Sequence, residues 1–194
     1  MVHYLANHRL ILLRSIMKIA ITGTSGLAKI IKDTLESTPY QGDTIEVAPI
    51  RCDDITMNGT DCWIFDGYKP CDVLINLAHY DQAEILMIAH EAWKYKNDKF
   101  IINISNRAAQ PNISKGYMYS SEKAQLNHLA NNLTYNSEKQ YKMTNLNLGL
   151  LNHDNLPSVR HQDVAGLIYK LITSYPQYEI PDVTIQAHAN YRDV

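Results

Sequence analysis

No stretch of this chain reads as a membrane helix, because none of its apolar runs approaches the roughly 18 residues that a span requires. Its three cysteines, Cys52, Cys62 and Cys71, are odd in number and include no Cys-x-x-Cys spacing. That excludes a disulfide framework or a zinc ribbon and leaves reduced thiols in a cytoplasmic protein. Positive charge is not in excess: 18 Lys and Arg face 20 Asp and Glu, for a net charge of −2. Without a basic face, nucleic-acid binding by phosphate neutralisation is not expected. Among the eight histidines there is no His-x-x-x-His or His-Glu-x-x-His, so no metal site is expected. Ser105 lacks the Gly-x-Ser-x-Gly elbow of a hydrolase nucleophile, and neither an internal repeat nor a low-complexity tract is present.

What remains is a 194-residue chain with 45% hydrophobic content, enough for one well-buried domain. The first 16 residues carry Arg9 and Arg14 around Leu10 to Leu13. This apolar run is short and has no small-residue cleavage site, so a signal peptide is not expected. Residues 1–16 read as an extension with little role in the fold, and 17–194 as the domain.

Along the domain, strand patterns alternate with helical ones. Lys18–Thr22, Thr44–Ile50, Asp72–Leu77, Phe100–Ile104, Met143–Leu151 and Asp182–Gln186 read as strands. Leu27–Leu35, Gln82–Tyr95, Tyr119–Leu133 and Asp163–Ile172 carry apolar residues at helical spacing. A degenerate strand is expected around Trp63–Phe65, within an irregular segment from Cys52 to Tyr68. Such alternation predicts a single-domain α/β fold. Its sheet is doubly wound and mostly parallel, Rossmann-like, with right-handed crossovers in three α/β/α layers.

Two segments carry chemistry. The first strand runs into Gly23-Thr24-Ser25-Gly26-Leu27-Ala28. Glycines there let the backbone approach a pyrophosphate, and the following helix N-terminus attracts it. Thr24 and Ser25 add hydroxyl donors. The position that sets helix–strand packing is Ala28 in one spacing and Lys29 in the other. A plain strand–helix turn is the structural alternative. Arg51 follows the second strand, where an arginine accommodates a 2′-phosphate. This favours NADP over NAD, although Asp53 and Asp54 stand close by.

The second segment is Tyr119-Ser120-Ser121-Glu122-Lys123. Tyr-x-x-x-Lys also occurs at Tyr95/Lys99 and Tyr135/Lys139. Only the 119/123 step follows a buried strand and opens a long apolar helix. Four residues apart, the two side chains share a helix face. A nearby ammonium is expected to lower the phenol's pKa, and such a tyrosine can exchange the proton that accompanies hydride transfer. A surface Tyr and Lys is the alternative reading. His153 and His161 flank a loop where a substrate could sit, or are simply polar loop residues.

Residues 17–186 resemble the short-chain dehydrogenase/reductase family. The resemblance rests on Thr22–Ala28, on Asp72-Val73-Leu74-Ile75-Asn76-Leu77-Ala78-His79, on Ile101–Ser105 and on Tyr119–Lys123. The compact form also resembles reductase-like proteins of marine bacteriophages. The family resemblance implies an NADP- or NAD-dependent oxidoreductase acting on a small carbonyl or alcohol substrate. Tyr119 would be the acid/base and Lys123 the ribose-holding residue, with a strand-end Ser105 or Asn106 polarising the carbonyl. It implies that Asn76, Leu77 and Ala78 line the adenosine side, and that the backbone at Gly149 faces the nicotinamide with Asn152 as a carboxamide partner. The family's fourth catalytic residue, an asparagine of the preceding helix, has no assignable counterpart. Pairing into a homodimer or homotetramer through the helices at 82–95 and 119–133 is also implied. Departures at Asn106 and Leu148 keep a second expectation open, a dinucleotide-binding sensor without chemistry. A third, a sugar-nucleotide-modifying enzyme, needs a larger substrate domain than this length provides.

Overall fold

Beta-branched residues in a run buried on both sides form the first strand, β1 (Ile16–Thr22), which starts one residue before the expected domain boundary. In the computed structural model, described for residues 16–24, 26–40, 44–67, 70–110, 116–174 and 178–188, it is followed by α1 (Leu27–Ser37) and β2 (Thr44–Ile50). Next come α2 (Cys52–Asn58), α3 (Trp63–Asp66), β3 (Val73–Asn76) and α4 (Gln82–Trp93). The chain continues with β4 (Phe100–Asn106), α5 (Tyr117–Asn136), β5 (Lys142–Leu148), α6 (His161–Thr173) and β6 (Asp182–Ile185). Residues 1–15 of the expected extension lie outside the described residues.

The six strands form one sheet in the order β2-β1-β3-β4-β5-β6, and every pairing is parallel. The chain moves outward from β1 to β2, then crosses back over β1 to β3. That reversal opens a crevice at the carboxyl ends of β1 and β3, where open α/β sheets bind ligands. The fold is therefore the expected doubly wound, three-layer α/β/α arrangement.

Three expectations change. Cys52–Asn58, expected to be irregular, forms the helix α2. Trp63–Phe65 is not a strand but the core of the short helix α3, with Ile64 and Phe65 buried. Phe65 packs edge-on against Trp93, ring centroids 5.4 Å apart. These side chains plug a hydrophobic corner against α4, which a strand at the sheet edge would not reach. With no strand beyond it among the described residues, β2 ends the sheet, and Pro49 within it supplies no N–H to a further neighbour, a common device on edges. The predicted fifth strand stops at Leu148 rather than Leu151; Gly149 N–H still donates to Ile185 O at 2.8 Å, the last bond to β6 before the chain leaves the sheet.

Each sheet face has its own core. On one side α1 and α6 pack on Ile19, Ile21, Ile75, Ile102, Ile104 and Leu148. On the other, α4 and α5 pack on Ala20, Leu74, Ile101 and Met143, helped by Ile55 and Ile64. Strand alternation places Asn76, Asn103, Ser105, Asn145 and Asn147 on this second face, above those apolar residues and nearer the strand carboxyl ends. All five are buried.

Candidate active site

The crevice at the strand ends is a cleft of about 350 Å³. Both chemistry-bearing segments reach it: Gly23, Thr24 and Gly26 line one wall, and Tyr119 and Lys123 another.

The turn after β1 is built on positive φ, 111° at Gly23 and 56° at Gly26, a conformation that favours glycine. Gly23 N–H donates to Ile50 O at 3.1 Å, which ties the turn to the end of β2. Gly26 precedes the first residue of α1, and no side chain among the described residues caps that helix. Its first N–H groups are therefore left for an acceptor in the cleft. A side chain at Gly26 would meet nothing within 4 Å, so the space above the turn is open. Ala28 is 2% exposed and lies 3.7 Å from where a Cβ on Gly23 would sit. The packing position is thus Ala28, while Lys29 is exposed. Thr24 is exposed beside the cleft; Ser25 lies outside the described residues.

The wall opposite comes from the β3–α4 loop. Thr22 Oγ1, fully buried, accepts N–H bonds from Leu77 at 2.8 Å and Ala78 at 2.9 Å. The end of β1 thereby holds the loop in place, and Leu77 and Ala78 line the cleft as expected of that segment. Asn76 is elsewhere. It sits beneath the cleft, donating from Nδ2 to Gln82 O at 2.9 Å and Asn103 Oδ1 at 3.1 Å, and so braces the loop.

The proton-transfer wall comes from α5. Tyr119 and Lys123 extend the buried stripe Leu126, Ala130 and Leu133 by one turn in each step, so the pair occupies core-facing positions at the cleft end of the helix. Lys123 is 3% exposed. Its Nζ donates to Gln82 Oε1 and to Ile104 O at 3.3 Å, and lies 5.5 Å from the centroid of the Tyr119 ring. Burial pulls the ammonium down to about 8, against the opposing charge of Glu122. Burial also pushes the Tyr119 phenol up, and Glu122 pushes it further. This corrects the expectation of a phenol tuned downward by its lysine: the ammonium turns toward Gln82 and the Ile104 carbonyl, and desolvation governs the phenol.

At the end of β4, Ser105 and Asn106 both line the cleft. Asn106 Oδ1 accepts from Ala108 N at 2.8 Å, which commits its oxygen to the turn that follows. Ser105 Oγ is buried and has no hydrogen-bond partner among the described residues. Strand alternation puts it on the Lys123 side.

Besides Asn76, three expected residues lie off the cleft. Arg51 is exposed beyond β2 and pairs with Asp54 at 3.4 Å. Gly149 is packed on β6, where an added Cβ would come within 3.0 Å of Gln186 Cβ; Leu148 and Leu151 face the cleft in its stead. Asn152, at φ 42°, accepts from His161 N at 3.1 Å and so braces the start of α6.

Sequence reading missed Gln82 altogether, because its contact with Lys123 spans 41 residues and depends on how α4 and α5 cross. His79 also lines the cleft, its ring centroid 6.3 Å from that of Tyr119. The sequence names it only as the end of the Asp72–His79 stretch and gives it no role. His161 joins it at the start of α6. Among the described residues no three His, Cys, Asp or Glu side chains converge as a metal site, and no helix is long and apolar enough to cross a membrane. The three thiols are free, and burial pushes Cys71 up to about 12.

No family model matches the sequence, and no curated protein matches it. Solved structures do. The closed form of a serine dehydrogenase complexed with NADP+ superposes with a TM-score of 0.71 at 14% identity, over 90% of this chain and 97% of that one. An alcohol dehydrogenase from the archaeon Thermococcus sibiricus, complexed with 5-hydroxy-NADP, gives 0.69 at 11% identity over 91% and 100%. A metagenomic short-chain oxidoreductase in complex with NADP gives 0.65 at 19% identity over 89% and 98%. At these identities the likeness establishes the fold alone, a doubly wound α/β sheet shared with these proteins.

Proposed function

We propose that this protein is an NADP-dependent oxidoreductase, with NAD as the alternative cofactor, that interconverts a small carbonyl and its alcohol. The observation that carries this reading is one cleft lined by the glycine turn with its uncapped helix, by Tyr119 and Lys123, and by the partnerless Ser105 hydroxyl. The residues fit a dinucleotide: open space over Gly26 and free N–H groups at α1 suit a pyrophosphate, with Leu77 and Ala78 on the adenosine side. Arg51 stands next to Ile50, whose carbonyl receives the Gly23 N–H, a place suited to a 2′-phosphate. The neighbours crystallised with NADP or its analogue support the same choice.

When bound, the dinucleotide supplies or accepts the hydride. Ser105 Oγ donates a hydrogen bond to the substrate oxygen, with Asn106 beside it as the second candidate. Tyr119 passes its hydroxyl proton to that oxygen in reduction and takes it back in oxidation. A phenol held above its ordinary value is protonated at neutral pH, the form that reduction requires. Lys123 holds the cofactor ribose and keeps positive charge beside the phenol.

One observation favours a second reading, a dinucleotide-binding sensor without chemistry: the Lys123 ammonium is engaged with Gln82 and Ile104 O, 5.5 Å from the Tyr119 ring centroid. NADPH oxidation against a panel of aldehydes and ketones separates the two. Steady turnover that is lost in Tyr119→Phe supports the oxidoreductase; tight NADPH binding with no turnover on any carbonyl supports the sensor.

A further inference from the structure

Lys123 occupies a core position, and a buried ammonium is costly unless its protons are accepted. Its Nζ has three donors. Gln82 Oε1 and Ile104 O take two, which leaves the third for the cleft that Lys123 lines. Gln82 is itself 5% exposed, and its amide orientation is fixed. Nε2 donates to Asn76 O at 2.7 Å and to Ile104 O at 3.0 Å, so a flipped amide would aim its oxygen at two carbonyls. The Gln82 carbonyl in turn accepts from Asn76 Nδ2 at 2.9 Å, and Asn76 is braced on Asn103 at 3.1 Å. The first residue of α4 is thus locked between β3 and β4, with its oxygen facing the lysine.

We infer that Gln82 is the positioning residue of the site: its clamped side-chain oxygen holds the Lys123 ammonium charged and aims its remaining N–H into the cleft. This rests on the oxidoreductase reading for its consequence, but not for its geometry. Of the groups around the ammonium, α5 contributes Tyr119 and Glu122, and the β3–α4 loop contributes His79, which faces Tyr119. His161 stands elsewhere on the cleft wall. From α4 and β4 the groups in contact, Gln82 and the Ile104 carbonyl, are uncharged. Glu122 supports the charge, yet it shares the lysine's own helix and does not fix where Nζ points. The acceptor from another element is Gln82.

The test uses two variants of the full chain and two readouts. Lysine 13Cε NMR titration, with the Lys123 signal assigned by its loss in Lys123→Arg, reports the ammonium directly and needs no turnover. The wild-type signal should titrate near 8. Gln82→Met removes the acceptor and moves the titration down by about one pH unit, whereas Gln82→Glu restores an acceptor with charge and moves it up by a similar amount. In NADPH-dependent carbonyl reduction, the fall of kcat at high pH follows the same two shifts. A merely structural Gln82 lowers kcat equally at all pH values and leaves the titration in place. An unmoved Lys123 titration in folded Gln82→Glu overturns the inference, even if Gln82→Met fails to fold. Shifted titrations in a protein with no turnover on any carbonyl uphold the positioning and sink the oxidoreductase reading alone.

Discussion

The two faces of the sheet solve different problems. Under α1 and α6 the sheet is mostly apolar almost to the strand ends, with Ile104 and Leu148 lining the cleft. Under α4 and α5 every element changes character at the same level. Leu74 gives way to Asn76, Ile101 to Asn103 and Met143 to Asn145; on the helices Ile85 gives way to Gln82 and Leu126 to Lys123. Asn127 of α5 completes the layer by joining Asn145 and Asn147 at 2.9 Å each. Hydrophobic burial contributes on both faces; at the strand ends of the second, stability is spent on polar groups held in one arrangement. Some remain unsatisfied: Asn103 Nδ2, Asn145 Oδ1 and Ser105 Oγ have no partner among the described residues. Natural proteins break local rules of this kind chiefly at functional sites.

The largest way to break this comparison is to remove its reactive group. Tyr119→Phe should lower turnover on any accepted carbonyl by about 10²–10⁴-fold, with NADPH affinity nearly unchanged in a fluorescence titration. Turnover at the wild-type level would place the acid elsewhere. Next, adjacent residues on opposite faces should part company. Ile102→Ala opens a cavity on the α1/α6 side and should cost about 2–5 kcal/mol in urea unfolding, with little change in kcat of the folded protein. Asn103→Leu should cost no more than about 1–2 kcal/mol, since it also removes an unpaired donor, yet loosen the Asn76–Gln82 brace and lower kcat. Equal behaviour of the pair would erase the distinction.

A further effect concerns pH. Lys123 falls from an ordinary 10.5 to about 8 in the folded chain. Between these values the unfolded state binds more protons, so this residue's contribution makes stability rise as pH increases from about 8 to 10.5. Below about 8 both states are protonated and the full burial penalty applies. The stability difference between wild type and Lys123→Met should therefore drift in favour of wild type across that window. A flat difference would mean that the ammonium is not desolvated. The smallest effect is expected at Cys71, where burial and a thiol pushed up to about 12 should make alkylation at pH 8 far slower than for a free thiol.

The contrast also explains what was legible beforehand. The apolar face announces itself through periodicity: Ile31 and Leu35 at helical spacing, Phe100, Ile102 and Ile104 in strand alternation. The turn at Gly23 and Gly26 and the pair Tyr119/Lys123 are local in sequence, so their spacing could be read. Trp63–Phe65 misled because a short apolar aromatic run fits strand and helix alike, and tertiary packing against Trp93 decided it. Gln82 gave no sign, since its meaning comes from Lys123 and Ile104 in other elements. The phenol's upward shift was hidden for the same reason: burial depends on the assembled layers, whereas spacing shows only that a lysine lies one turn away.

The most direct test is a crystal structure with NADPH bound. The account predicts the pyrophosphate against the turn of Gly23 and Gly26 at the N-terminus of α1, and the Tyr119 hydroxyl and Lys123 ammonium facing the same molecule. NADPH bound away from that turn, or seated there with Tyr119 and Lys123 turned away from it, would contradict the account.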